Sequence, residues 1–548
     1  MDRQLFATNR RKELLLLVLA LLGGFYEGAG RFYWSPQAFN FDHARQVTGA
    51  QSLLAGGDVS IETADPADFS DLRSVPITAW PPGYSSVLAP FIALTGNFYS
   101  AVMALDLLLL LILFASWWWI TYQLRSTLTY WTRAGLIGWW VVVASPAWHI
   151  GLNDIFSLAC FLLGTALTLR VATSSTIMLS VLAGLAYGFA AAGRYAYWPL
   201  IVVGPAALLW VGRRRLASHS VIQGVCSGVI VGGIYLRNQL VRGQGTQEYG
   251  YDIVPGFFPE HLLDIAPFPA SIAGIYGAFA PGGFLGSISA PLELAFQPLL
   301  WVVALLLAAG AVWGLGCAFR EVPRGGGGTS EKQVSRLAVI HGGATSLLTV
   351  SMLAYLSVRN PPHPYPTPDD AWVYLAETRY YVPLAMALFV GMGWFFERVR
   401  SIRGRPHLTA SAVMVLIGVL ATGPAVLRAK RFVEIHILDS TRPSRALDPG
   451  LPELLAAQLR LPSDGSRLIY LDEDVGRREW ASMMGVVIID PRDVAMLNQD
   501  VCAGATVVFA YSVTDASDHM RRLQEQLRAL SAEETGRFGD VLFLTRAP

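Results

Sequence analysis

Residues 98–122 read FYSAVMALDLLLLLILFASWWWITY, a run whose only charge is Asp106. Coiled as a helix at 1.5 Å per residue, it exceeds the roughly 30 Å of a bilayer's hydrocarbon core. Because it is apolar on every face, no half-solvated position in a globular domain suits it. Trp117-Trp118-Trp119 at its end supplies the aromatic belt expected where a span meets the inner interface. Asp106, about two turns in from the outer end, marks a carboxyl group that is either paired with a neighbouring helix or part of a site.

Further apolar runs begin near Glu13, Thr132, Ile155, Thr176, Tyr197, Ser220, Leu292, Leu337, Tyr380 and Thr409. With the run at Phe98 they predict about eleven spans. The composition agrees: 548 residues, 53% hydrophobic and 15% charged, exclude a soluble globular chain. Arg10-Arg11-Lys12 precedes a first run too long for a signal peptide, so it is read as a retained span with a cytoplasmic N-terminus. In that phase roughly 18 Lys and Arg lie in inner loops against roughly 8 in outer ones, as the positive-inside rule requires. An odd span count leaves the C-terminus outside. The net charge of +1 averages a membrane part and a soluble part and gives no reason to invoke nucleic acid. Of the four cysteines, Cys160, Cys226 and Cys317 stand in apolar runs and Cys502 in a polar one, which makes no disulfide or metal spacing.

Three outer loops follow, 31–97, 237–291 and 358–379, within a membrane domain over 1–428. The first places Asp42-His43 just past the opening span and closes on Trp80-Pro81-Pro82-Gly83-Tyr84. Asn153-Asp154 opens the fourth span, where a carboxylate either caps the helix or serves a site. Arg194-Tyr195 joins the fifth and sixth spans, Arg237-Asn238 ends the seventh, and Glu377-Thr378-Arg379-Tyr380 stands at the mouth of the tenth. Each arginine suits a lipid phosphate or a snorkelling side chain. Arg324-Gly325-Gly326-Gly327-Gly328 lacks the Gly-Lys-Ser/Thr ending of a phosphate loop and reads as a linker.

After Arg428 the composition becomes that of a soluble domain, 429–548. Strands are predicted over Arg467–Leu471, Val486–Ile489, Thr506–Tyr511 and Val541–Thr545, and helices over Leu451–Leu461 and Asp515–Leu530, giving a small α/β layer domain. Asp472-Glu473-Asp474 is read as a solvated acidic turn in preference to a metal site.

The polar residues Asp42, His43, Asp154, Arg194, Arg237, Glu377 and Arg379 thus gather at one membrane level, the outer face. A transporter would place such groups near the midplane. Carboxylates with arginines suit transfer from an anionic lipid-linked donor, in which a carboxylate deprotonates the acceptor and guanidinium groups hold the departing phosphate. In this order and topology the motifs resemble the GT-C superfamily of polyprenyl-phosphate-sugar glycosyltransferases, with protein O-mannosyltransferases and aminoarabinose lipid A transferases as the nearest types. The resemblance covers Glu13 to about Arg428. It implies a GT-C-like polytopic α-helical membrane protein located in the inner or plasma membrane, to which composition and the odd span count add a small extracytoplasmic α/β domain over 429–548. It further implies a lipid-phosphate-linked sugar donor and a lipid, glycan or protein acceptor. Carried over, Asp42 is the catalytic carboxylate and Asp154 a second acid. Arg194, Tyr195, Arg237, Glu377, Arg379 and Tyr84 contact donor phosphate or substrate, and a divalent metal on Asp42, Asp154 and His43 is an alternative use of the acids. His43 stands where an acidic residue often follows the first Asp, and Trp80 where His or Lys often precedes the prolines. A flippase or exporter of lipid-linked sugar, or a non-catalytic assembly subunit, are the competing readings.

Overall fold

The computed structural model describes residues 10–25, 41–78, 80–139, 152–174, 176–212, 216–242, 309–310, 312–317, 320, 330–359, 382–403, 467–473, 478, 481–482, 485–512, 517–538 and 541–546. The span starts predicted at Leu292 and Thr409 and the helix over Leu451–Leu461 lie outside them, as do Glu377, Arg379, the glycine-rich stretch and Asp474. The chain divides into two compact units, 1–30 with 79–81 and 106–433, and 31–78 with 82–105 and 434–548.

The first unit is helical. Its described elements include α1 (residues 10–25) and the segment of α4 (Phe98–Gln123) from Asp106 onward. They continue with α5 (Tyr130–Trp139), α6 (Leu152–Ser174), α7 (Ile177–Gly193), a 3₁₀ helix (Tyr195–Val202), α8 (Val203–Gly212), α9 (Ala217–Arg242), α10 (Ser330–Arg359) and α11 (Val382–Arg403). Among the described residues four stretches are long and apolar enough to cross a membrane: Phe98–Gln123, Asp154–Ser174, Tyr195–Gly212 and Ala217–Val241. The shorter Ile177–Gly193 is also apolar.

Lipid is as apolar as leucine, so helix association here needs close backbones and interhelical hydrogen bonds. Gly184 and Gly188, one turn apart on α7, supply the first. A Cβ on Gly184 would meet the Gln223 carbonyl oxygen at 2.6 Å, and one on Gly188 the Ile230 side chain at 2.5 Å, so α7 and α9 touch where only glycine fits. A buried polar network supplies the second. The Tyr187 hydroxyl lies 2.8 Å from His341 Nε2 and 3.2 Å from the Thr168 hydroxyl, which donates to Gln223 Oε1 at 3.3 Å. These contacts join α6, α7, α9 and α10. At the opposite end of the bundle from Asp154, Glu397 Oε1 accepts from the Thr129 N–H at 2.8 Å and its hydroxyl at 2.7 Å, capping α5 with a carboxylate from α11.

The second unit contains α2 (Phe41–Leu54), β1 (Ser60–Asp65), β2 (Asp68–Pro76) and α3 (Gly83–Thr95). From the C-terminal part come β3 (Arg467–Leu471), β4 (Val487–Ile489), β5 (Ala505–Ser512), α12 (Asp518–Ala529), β6 (Glu533–Phe538) and β7 (Val541–Arg546). One seven-stranded sheet runs β2-β1-β4-β3-β5-β7-β6. Strands β3, β4 and β5 are mutually parallel where paired, and β1 joins β4 in parallel at Thr63 and Ile488. The hairpin β1–β2 and the pairs of β7 are antiparallel. Residues 60–76 therefore add two strands to the C-terminal sheet. Phe69 of β2 is wholly buried in the core formed by Ile469, Leu471, Phe509, Met520 and Leu523.

Asp472 departs from the solvated turn predicted for it. It is buried, its carboxylate accepts from the Tyr470 hydroxyl at 2.9 Å, and its backbone carbonyl accepts from Arg478. The cause is its position at the end of central strand β3, where flanking strands exclude water and a polar group survives only when bonded.

Candidate active site

Helix α6 begins at Leu152 and carries Asp154 in its first turn. Helix α7 ends at Gly193, and Arg194 follows in an extended conformation before the 3₁₀ helix opens at Tyr195. An eight-residue 3₁₀ run is long for its kind, and Pro199 within it lacks an N–H, so the chain cannot continue as a regular α-helix. The interruption turns the Arg194 side chain toward α6. There Nε donates to Asp154 Oδ1 and Nη2 to Oδ2, both at 2.7 Å. The two side chains are only 12% and 6% exposed, so this forked pair is buried.

Snorkelling, the bland reading of Arg194, does not describe a buried guanidinium held by two bonds. Simple capping likewise leaves out the partner that both Asp154 oxygens have. A carboxylate held in this way is a good anchor, because it fixes the plane of the arginine. Isolated charges at this depth would be costly, whereas the pair removes most of that cost.

A second set adjoins it in sequence. Asn238, wholly buried, donates from Nδ2 to the Tyr195 hydroxyl at 2.8 Å and accepts from Arg237 Nη1 at 3.2 Å. The Tyr195 ring meets the edge of Trp198 at 5.1 Å, and Trp198 Nε1 donates to the Ala191 carbonyl at 3.1 Å. Tyr195 is thereby fixed at both ends, and Arg237 is steered by its neighbour.

Asp154, Ala196, Tyr197, Leu200, Thr349, Met352 and Pro383 line a small concavity. The Thr349 hydroxyl is buried without a partner among the described residues. Such an orphan in an apolar wall is costly unless something occupies the space before it.

The fate of the sequence candidates is uneven. Asp154, Arg194, Tyr195 and Arg237 belong to one unit, the first two in direct contact and the last two linked through Asn238. Asp42 and His43 open helix α2 in the other unit, where the sequence suggested a loop. Tyr84 is wholly buried in α3. Glu377 and Arg379 lie outside the described residues. As for a metal, both Asp154 oxygens already serve a cation, and no cluster of three His, Cys, Asp or Glu suited to a metal occurs among the described residues.

Sequence reading did not name Thr349. One signal was present: His341, Thr345 and Thr349 recur every four residues within an apolar helix, a polar stripe on one face.

No family model and no curated protein matches the chain. Solved structures do. ArnT from Cupriavidus metallidurans in the apo state is 13% identical, covers 98% of both chains and has a TM-score of 0.47. The same protein bound to undecaprenyl phosphate gives 14% identity, 97% coverage of both chains and a TM-score of 0.45. The archaeal oligosaccharyltransferase AglB from Archaeoglobus fulgidus, in complex with an inhibitory peptide and a dolichol-phosphate, gives 12% identity over 92% of this chain and 70% of its own, with a TM-score of 0.43.

Proposed function

We propose that this chain is a membrane glycosyltransferase that moves a sugar from a polyprenyl-phosphate donor to a hydroxyl or amine of an acceptor at the extracytoplasmic face. The observation that carries the reading is the buried Asp154–Arg194 fork at the junction of interrupted helices, beside the Tyr195–Asn238–Arg237 set. Fixed guanidinium groups at a span end suit a phosphate whose lipid tail stays in the bilayer, and they stabilise the charge that grows on it as the sugar leaves. Asp154 is assigned to positioning Arg194, and Asp42 to removing the acceptor proton. Arg237 and Arg379 are assigned to the donor phosphate, and Glu377 and Tyr84 to substrate binding. Proton transfer of this kind contributes about 10²- to 10⁴-fold.

The direction of the site follows from the Lys/Arg asymmetry, which puts the N-terminus in the cytoplasm and the C-terminus outside. A reporter fused after Pro548 that works only outside the cytoplasm supports this orientation, and cytoplasmic reporter activity overturns it. For the reaction, a strain lacking the protein is expected to accumulate a lipid-linked sugar visible by mass. An unchanged lipid-sugar pool would remove the transferase reading.

A further inference from the structure

The second unit ties the helix that bears Asp42 to the C-terminal segment. On α2 the Thr48 hydroxyl donates to the Ala44 carbonyl at 3.0 Å, in the first turns of the helix. The same hydroxyl oxygen accepts from the Ser482 hydroxyl at 3.3 Å. Ser482 stands on the turn that feeds β4, closed by the Gly485 N–H to its carbonyl at 2.9 Å. A relay of hydroxyls therefore runs from the C-terminal sheet to the backbone two residues from Asp42, and Thr48 and Ser482 are both buried.

Two further contacts hold the helix from other sides. The Ser85 hydroxyl of α3 reaches Gln46 Oε1 at 2.6 Å and the Gln46 carbonyl at 3.0 Å. At Gly49 a Cβ would meet Val59 at 2.7 Å, so α2 seats directly on the chain entering β1. Strand β1 is in turn bound to β4, and Phe69 of the hairpin is sunk in the C-terminal core. Two of these anchors, Ser482 and the chain entering β1, lead in one or two steps into the sheet formed with residues beyond 466, while Ser85 braces α2 from α3.

We propose that the C-terminal segment is the positioning element for α2, with Ser482 and Thr48 as positioning residues for the helix turn that carries Asp42. The inference rests on the reading of Asp42 as the base. Reaction geometry is sensitive to displacements on the order of 1 Å, so a helix held at one end by a separate chain segment is a direct lever on turnover.

Ser482→Ala in the full chain, with Ser482→Thr as the conservative control, tests this. Amide exchange over residues 41–54 is expected to quicken about tenfold in Ser482→Ala, a local opening without global unfolding. With lipid extract from the deletion strain as donor, kcat is expected to fall about tenfold at unchanged KM, and Ser482→Thr to restore both. Unchanged exchange in Ser482→Ala, or faster exchange with full turnover, overturns the proposal. Thr48→Val breaks the same contact from the α2 side should Ser482→Ala fold poorly. If Asp42→Asn proves active, the base reading fails, and exchange and turnover in these variants would separate that failure from failure of the anchoring itself.

Discussion

Arg194 and Asp154, forty residues apart in sequence, share two hydrogen bonds of 2.7 Å, with Asp154 buried and Arg194 largely so. Breaking such a pair from one side leaves an uncompensated charge, so Asp154→Asn is expected to cost about 3–5 kcal/mol. Thermal unfolding of the purified protein measures it. A loss below about 1 kcal/mol would mean that the pair is solvated in the membrane and worth no more than a surface bridge.

Arg194→Lys retains charge but not the fork. Transfer is expected to fall at least tenfold with stability reduced less than in Asp154→Asn, since a single ammonium cannot satisfy both oxygens in one plane. Equal activity of the Lys variant would assign Arg194 to structure alone.

The orphan hydroxyl of Thr349 gives a cleaner separation. Thr349→Val removes a buried oxygen with no partner among the described residues, so stability is expected to hold or rise by about 1 kcal/mol. Turnover is expected to fall at the same time if the hydroxyl faces a bound ligand. A drop in both would point to a structural partner for Thr349 instead.

In the second unit Asp490 is pushed up by burial. Hydrogen bonds from Arg492 and the charges of Arg492 and Arg478 outweigh this and hold its pKa below the ordinary carboxylate value. A lowered folded-state pKa gives stability that is full above pH 3.8 and is lost as pH falls through the lower folded value. Asp490→Asn should therefore lower stability near neutral pH and flatten its acid dependence below pH 4, as unfolding midpoints from about pH 2 to 7 would reveal. An unaltered acid profile would show that the arginines do not act on this carboxylate.

Sequence made part of this arrangement legible. The strands of the C-terminal core announced themselves because Leu468 to Leu471 and Thr506 to Tyr511 are apolar runs bounded by turns, and β3 and β5 form there. Strand β6 escaped notice because Glu533 to Phe538 is an edge strand with little apolar side chain to alternate. The hairpin of residues 60–76 was hidden for the same reason. Its polar edge β2 becomes a strand only by pairing, and its partner sheet lies some four hundred residues onward, as Thr63 beside Ile488 shows. Periodicity is local, whereas that pairing is tertiary. Asp154 and Arg194 were legible as candidates from their places at helix ends. Their mutual fork was not, because nothing local relates the first turn of α6 to the break after α7.

The most direct measurement is complementation of the deletion strain with Asp42→Asn, followed by mass analysis of its lipid-linked sugars alongside an immunoblot for the protein. With the variant present at the normal level, the sugar-lipid is expected to accumulate as in the deletion, reflecting a loss of turnover of at least about 100-fold. A lipid pool indistinguishable from that of the wild type, with Asp42→Asn as the only copy, would contradict the assignment of Asp42 as the base.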